Sequence, residues 1–356
     1  MEASAYLASL RARGLSPNTE RAYAGRVALY LNYCAWRRLV WSAPSFLALA
    51  DLQRWLVSEP LPPRGSSRPR CPRYRSAGTA NAVMVAVADF LRFGRLHDWV
   101  APQTAALLSE PKLLRFLPAG CDTGEGTGAR QVEAARFRFK TADPGFEVLD
   151  GDQIRQVIAL AGNARDRFLV ALLACTGLRI GEALGLRRSD MHLLASSRAL
   201  GCHVVGPHLH VHRRTDNPNR ALAKSRTARH VPVTADLVTL YTDYQYERDH
   251  VAEAAGSDMV FVNLFRPPLG DAMSYAGAKD IFDRLARAAG HPVRPHMLRH
   301  SAATHWLREG VSRDVVQRLL GHQSIQSMER YRHVDATEMR DAVERLHARE
   351  EEERKP

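Results

Sequence analysis

The stretch Thr176-Gly-Leu-Arg-Ile-Gly-Glu-Ala-Leu184 decides how this chain is read. A helix predicted over Arg165 to Thr176 stops at Gly177, and another opens after Arg179 and is expected to run from Ile180 to Leu186. Glu182 follows Arg179 by three residues, on the same side of that helix, where its carboxylate can orient the guanidinium. Alone, an Arg-x-x-Glu pair reads as a surface salt bridge, so its meaning depends on what else the chain carries.

Toward the C-terminus, His296 and Arg299 sit three apart in Pro295-His-Met-Leu-Arg-His300, so on a helix they point the same way, at the start of a helix predicted over Leu298 to Arg308. A neutral imidazole beside a guanidinium suits a general base next to a phosphate clamp. His300 and His305 read as bystanders. Ser312 is placed to cap a helix over Arg313 to Leu320, which Gly321 ends, fixing His322 just beyond a rigid terminus. A further short helix is expected over Ile325 to Arg332, and Tyr331 lies there in the polar run Ser327-Met-Glu-Arg-Tyr-Arg-His333. Lys224 occupies a basic turn between strand-like runs at Val204 to Arg213 and Arg229 to Val233, and a lysine on a hairpin tip can protonate a leaving oxygen. Each feature taken singly has a bland reading: a polar helix face, a solvated turn lysine, an ordinary exposed tyrosine. Together they supply what metal-free attack on a phosphodiester needs: cations, a nucleophile, a base and a proton donor.

Composition points the same way. The 356 residues hold 50 Lys plus Arg against 38 Asp plus Glu, a formal charge of +12 and a pI near 9.9, so the expected partner is a polyanion, nucleic acid first. No apolar run is long enough to span a membrane and the N-terminus does not resemble a signal peptide, so no membrane partner and a cytoplasmic location are expected. Cys34, Cys71, Cys121, Cys175 and Cys202 are odd in number and never in a C-x-x-C pair, arguing against disulfides and a structural zinc site. His208, His210 and His212 would share a strand face, yet no cysteine or carboxylate lies at ligand spacing; metal is expected to be absent and no cofactor is implied.

The first hundred residues read as helices: one capped by Ser16-Pro17 and running to Trp36, one over Leu47 to Val57, one over Thr79 to Leu96. Between the last two, prolines alternate with Arg64, Arg68, Arg70, Arg73 and Arg75, a loop suited to phosphate contact or plain solvation. A Gly-, Thr- and charge-rich stretch reads as an interdomain linker. The expected organisation is a helical domain at 1–115, a linker at 116–146, a mixed domain at 147–335 and a charged helical tail at 336–356. The fold class is mainly α with a small β-sheet: a helical domain followed by a mixed α+β one.

The order Arg179, Lys224, His296-x-x-Arg299, Gly321-His322, Tyr331 resembles the tyrosine recombinase, or phage integrase, family. The resemblance spans about Leu149 to Val334, and the helical first domain, starting Ser16-Pro-Asn-Thr19, looks like the family's SAM-like core-binding domain. It implies that Tyr331 attacks the scissile phosphate to form a 3′-phosphotyrosyl bond, leaving a free 5′-hydroxyl. Arg179 and Arg299 would neutralise the transition state, His296 accept the phenol proton, Lys224 donate to the 5′-oxygen, and His322 hydrogen-bond the phosphate. Glu182 matches the family's supporting acidic position. The stretch from Arg187 to Ala223 is longer than in simple members, which leaves Lys224 the least firmly placed. No extra domain precedes the helical one, so arm-site regulation is not expected.

The implied activity is site-specific breaking and rejoining of double-stranded DNA for a mobile element, without metal, by a homotetramer on two DNA sites; an accessory DNA-bending protein is compatible with it. Alternatives are an Xer-like recombinase that resolves dimers, a nicking and closing enzyme of topoisomerase type, and a catalytically silent DNA-binding relative. A metal-dependent nuclease would need clustered carboxylates, which no motif supplies.

Overall fold

The computed structural model describes residues 1–62, 71–114, 130–141, 147–225 and 227–321. The chain divides between Asp143 and Pro144 into two compact units. In the first, α1 (Glu2–Ala12), α2 (Pro17–Arg37), α3 (Phe46–Ser58) and α4 (Ala77–Leu96) surround one apolar core. Serines set three of the helix starts: Ser16, Ser45 and Ser76 each accept the backbone N–H three residues on, at 3.1–3.2 Å. Tyr6 and Leu10 of α1, Tyr30 of α2, Leu49, Leu52 and Leu56 of α3, and Val87, Phe90 and Leu91 of α4 meet in that core.

The short α5 (Pro102–Ala106) leads into an antiparallel pair, β1 (Ser109–Leu114) and β2 (Arg130–Ala135). β2 lies inside the stretch expected to be a linker. Phe137, just beyond it, is buried in the first unit's core, and Asn81 clamps the Phe139 backbone through bonds of 2.8 and 3.0 Å.

The second unit centres on α7 (Ala164–Thr176), whose Phe168 to Leu173 are buried without a break. A helix apolar all round must be covered on all sides. It follows α6 (Gly151–Ala159), opened by a capping box between Asp150 and Gln153. Then come α8 (Ile180–Ala183), β3 (Met191–His192), β4 (His208–Val211), β5 (Arg229–Pro232), α9 (Ala235–Asp249), α10 (Tyr275–Ala289), α11 (Pro295–Arg308) and α12 (Arg313–Leu320). Helices α6, α9 and α11 pack on α7. The three strands form an antiparallel sheet in the order β3-β4-β5, with His208 opposite His192 and Leu209 opposite Val231. The mainly helical, α+β class expected from sequence is what forms.

Local boundaries differ from the sequence reading for identifiable reasons. β4 starts at His208, not Val204, because Gly206 turns at φ +78 and is followed by Pro207. α8 is a single turn. Ser312 occupies the cap position of α12, but its side chain makes no capping bond. The helix expected over Ile325 to Arg332 and the tail at 336–356 lie outside the described residues. Arg248 is buried in α9, its guanidinium donating to the carbonyls of Ala254, Ser257, Met259 and Val260, which fixes the segment that follows. No helix among the described residues is long and apolar enough to cross a membrane.

Candidate active site

Thr176 ends α7 by donating its hydroxyl back to Leu172, and Gly177 reverses the chain at φ +61. A Cβ at Gly177 would lie 2.8 Å from Leu320, so this turn both needs left-handed backbone and excludes a side chain. Arg179 then takes the N-cap position of α8. Its backbone N–H donates to Glu182 Oε2 at 3.0 Å and its Nη1 to Oε1 at 3.2 Å. The spacing read from sequence is therefore realised as a two-point clamp, with Arg179 donating both bonds to the carboxylate.

Glu182 is buried at 2% exposure and gathers two more guanidiniums. Arg229 of β5 donates Nη2 to Oε2 at 2.9 Å and Nη1 to Oε1 at 3.3 Å; Arg299 of α11 brings Nη1 to 4.0 Å from Oε2. Burial by itself pushes the Glu182 carboxyl pKa up, but the bonds and charge of Arg229, the Arg179 backbone N–H and the charge of Arg299 hold it below its ordinary value. Three guanidiniums around one carboxylate leave a net charge of +2, the sign and setting in which an anion is stabilised.

Both inner arginines also fix the end of α12. Arg229 Nε donates to Leu319 O at 2.9 Å, and Arg299 Nη2 to Leu320 O at 2.8 Å, while Arg299 Nη1 donates to Gly177 O at 2.6 Å. Arg299 is 1% exposed, so it faces the interior of the unit rather than open solvent. Gly321 closes α12 at φ +64, and a Cβ there would strike Arg229 Nη1 at 2.7 Å.

Beside this cluster lies a cavity of about 560 Å³, lined among others by Arg179, Gly181, Leu222, Tyr275, Lys279 and His296. Arg179 and His296, far apart in sequence, thus both line it. His296 is exposed, with its ring edge-on to His300 at 4.4 Å, so the residue read as a bystander contacts the proposed base. Gly181 lets the β4–β5 connection close onto α8, since a Cβ would meet the Leu222 carbonyl at 2.9 Å. Lys224 is exposed two residues beyond Leu222 in that connection.

His322 and Tyr331 lie outside the described residues, as do Arg64, Arg68 and Arg70. Arg73 and Arg75 are tied back: Arg73 Nη2 donates to Pro62 O at 3.4 Å, and Arg75 stacks over Trp55 at 5.5 Å. The sequence reading missed Arg229 and Lys279. Strand alternation was a usable signal for the first, since Arg229 and Val231 share a face and Val231 is buried. Nothing local marks Lys279, which bonds Asp283 one turn on and reaches the cavity only through the packing of α10.

The profile of the phage integrase family matches residues 147–338, more than half of the chain. The chain belongs to the phage integrase family. It is a tyrosine recombinase, of the enzyme class that cuts and rejoins DNA strands. Among curated relatives, transposase A from transposon Tn554 of Staphylococcus aureus is 28% identical over 341 residues, covering 95% of this chain and 88% of that protein. Tyrosine recombinase XerC of Mycobacterium tuberculosis is 30% identical over 337 residues, covering 94% of each. Among solved structures, the Tn1549 transposon integrase in complex with circular intermediate DNA aligns over 96% of this chain and 98% of that one, with a TM-score of 0.59 at 15% identity. A lambda integrase dimer bound to a core site aligns over 94% of each chain with a TM-score of 0.56 at 16% identity. At such identities these two likenesses speak to fold alone: this integrase chain has the family's architecture.

Proposed function

We propose that this recombinase acts on double-stranded DNA at specific sites through a 3′-phosphotyrosyl intermediate and serves a mobile element. The observation that carries the reading is the buried Glu182 with Arg179, Arg229 and Arg299 around it, beside a cavity that also holds His296. A net positive, pre-bonded cluster needs no reorganisation when charge develops on phosphate oxygens, and one such donor is worth on the order of 2.7 to 4 kcal/mol in a barrier.

In the proposed step the Tyr331 phenolic oxygen attacks phosphorus and gives its proton to His296. The P–O5′ bond breaks, and Lys224 protonates the departing 5′-oxygen. Arg179, Arg299 and His322 hold the nonbridging oxygens, and Glu182 keeps the arginines in place. One phosphoester is exchanged for another, so no external energy source is required. Residues 1–143, the unit that takes in β2 and Phe137, act as the core-binding domain and 147–335 as the catalytic domain, in a tetramer on two DNA sites in the cytoplasm. The Arg64 to Arg75 loop contributes phosphate contacts.

The test uses nicked DNA carrying candidate sites, followed by denaturing electrophoresis. The wild type is expected to give a covalent adduct and Tyr331→Phe none; an equal adduct from the variant refutes the assignment. The 30% identity to XerC favours a second reading, a resolvase of chromosome dimers. Recombination between two identical sites on one plasmid, with no element ends present, would support that reading over a mobile-element role.

A further inference from the structure

The three-stranded sheet gathers His192, Cys202, His208 and His210, and one ligand atom from each lies within 4.8 Å of all the others. Antiparallel pairing sets His192 opposite His208, and period-two alternation sets His210 beside His208 on the same face of β4. Between β3 and β4 the chain makes a 3-10 turn at Arg198–Leu200, reverses at Gly201 with φ +73, and returns Cys202 to the histidines. Cys202 Sγ is 3.3 Å from His208 Nε2 and 3.4 Å from His210 Nε2, and those two nitrogens are 3.0 Å apart.

Hydrogen bonds satisfy this group poorly. His208 Nδ1 faces the Gly206 carbonyl at 2.7 Å, so the proton belongs there and Nε2 presents a single lone pair, which a thiol and a second imidazole would have to share. His192, whose ring lies 4.4 Å from that of His210, has its Nδ1 buried with no partner. One cation at the centre would satisfy every member. Zinc bonds of roughly 2.0–2.1 Å to nitrogen and roughly 2.3 Å to sulfur set tetrahedral edges of roughly 3.3 Å between nitrogens and roughly 3.6 Å from nitrogen to sulfur. The three separations among Cys202, His208 and His210 lie just inside those edges, and His192 completes the group within 4.8 Å.

We propose that His192, Cys202, His208 and His210 form a structural zinc site. A thiolate with three imidazoles selects zinc over magnesium or calcium, and four protein ligands leave no open position for chemistry. The Gly206 carbonyl is the outer partner that orients His208. The ion would staple β3 and the returning loop to β4, the strand that runs on into the connection bearing Leu222 and Lys224. This departs from the metal-free expectation: Cys202 reaches the histidines only through the turn at Gly201, and His192 only through strand pairing. His212, which shares the alternation, is instead exposed and stacks on His210 at 5.8 Å.

The full chain is purified without added metal, assayed by mass spectrometry, then stripped under reducing conditions and reloaded with zinc or cobalt alone. About one zinc per chain is expected. Cobalt should give the intense visible bands of a tetrahedral site and a thiolate-to-cobalt charge-transfer band that Cys202→Ser abolishes. Zinc should raise the melting temperature of wild type and not that of His210→Ala, whose folding circular dichroism confirms. Substoichiometric zinc with no melting shift in wild type, or a charge-transfer band that survives Cys202→Ser, overturns the proposal.

Discussion

Replacing Glu182 by Gln removes one negative charge from among three guanidiniums while hardly changing volume. In the wild type, Arg229 gives this carboxylate bonds of 2.9 and 3.3 Å, Arg179 gives 3.0 and 3.2 Å, and Arg299 stands at 4.0 Å. The variant turns a local charge of +2 into +3 and points an amide NH2 at guanidinium donors. Glu182 is 2% and Arg299 1% exposed, so water screens little of the resulting repulsion. Removing one partner of a buried ion pair costs about 3 to 5 kcal/mol. For a unit of this size that is a melting shift of roughly 6 to 20 °C. Urea unfolding followed by circular dichroism and by tryptophan fluorescence, with Trp306 beside Gly177 as a local reporter, measures it. A midpoint corresponding to less than about 0.5 kcal/mol of change, the range of a neutral surface substitution, would refute the idea that this carboxylate holds the cluster together.

The same pair of proteins gives a pH test with a definite sign. The folded carboxyl titrates below its ordinary value of 4.5, so its stabilisation is fully present above the unfolded pKa and is lost as pH falls through the folded one. Glu182→Gln has nothing to lose in that window. The stability gap between the two proteins should therefore be constant near neutrality and narrow as pH drops below about 4.5; a gap that widens on acidification has the wrong sign for this arrangement.

Gly177→Ala should destabilise by about 2 to 5 kcal/mol, the sum of left-handed strain and overpacking against Leu320, whereas Gly162→Ala, with open space and ordinary backbone, should be near neutral in the same unfolding assay. Equal effects at the two glycines would contradict the close approach at Gly177. Arg229→Lys keeps the charge but not the fork that reaches both carboxylate oxygens and the Leu319 carbonyl, so about 1 to 3 kcal/mol of stability and most of the covalent adduct should be lost. Wild-type values for both readouts would make Arg229 dispensable.

What was legible in the sequence is what local spacing encodes. Arg179 and Glu182 are one helical turn apart, and the clamp between them follows from that. Ser16 caps α2 through its own backbone neighbour. The central helices of the second unit announce themselves by apolar content. Contacts made through pairing or packing were not legible. Arg229 acquires meaning only when β5 brings it to Glu182, although its alternation with buried Val231 was there to be read. β1 and β2, Ser-Glu-Pro-Lys-Leu-Leu and Arg-Gln-Val-Glu-Ala-Ala, are poor strand formers, and they pair across a long connection that no local pattern marks. Pro111 fits there because a two-stranded ribbon has only edges. α1 escaped notice because only Tyr6 and Leu10 of its eleven residues are buried.

The last carbonyls of a helix are orphan acceptors at its negative end, and α12 spends them on arginines. Arg229 takes Leu319, Arg299 takes Leu320, and Arg299 also takes Gly177 at the end of α7. A single charge cluster therefore sets four things at once: where α7 stops, where α8 begins, how β5 is anchored, and where α12 ends. Gly321 is required at that end because any side chain would displace Arg229. Stability and chemistry are consequently not separable at these positions. A change at Glu182 alters the field at the proposed phosphate site and also the hold of Arg229 and Arg299 on the end of α12. Residues that share one carboxylate do not contribute additively, so Glu182→Gln combined with Arg229→Lys should cost clearly less than the two changes summed.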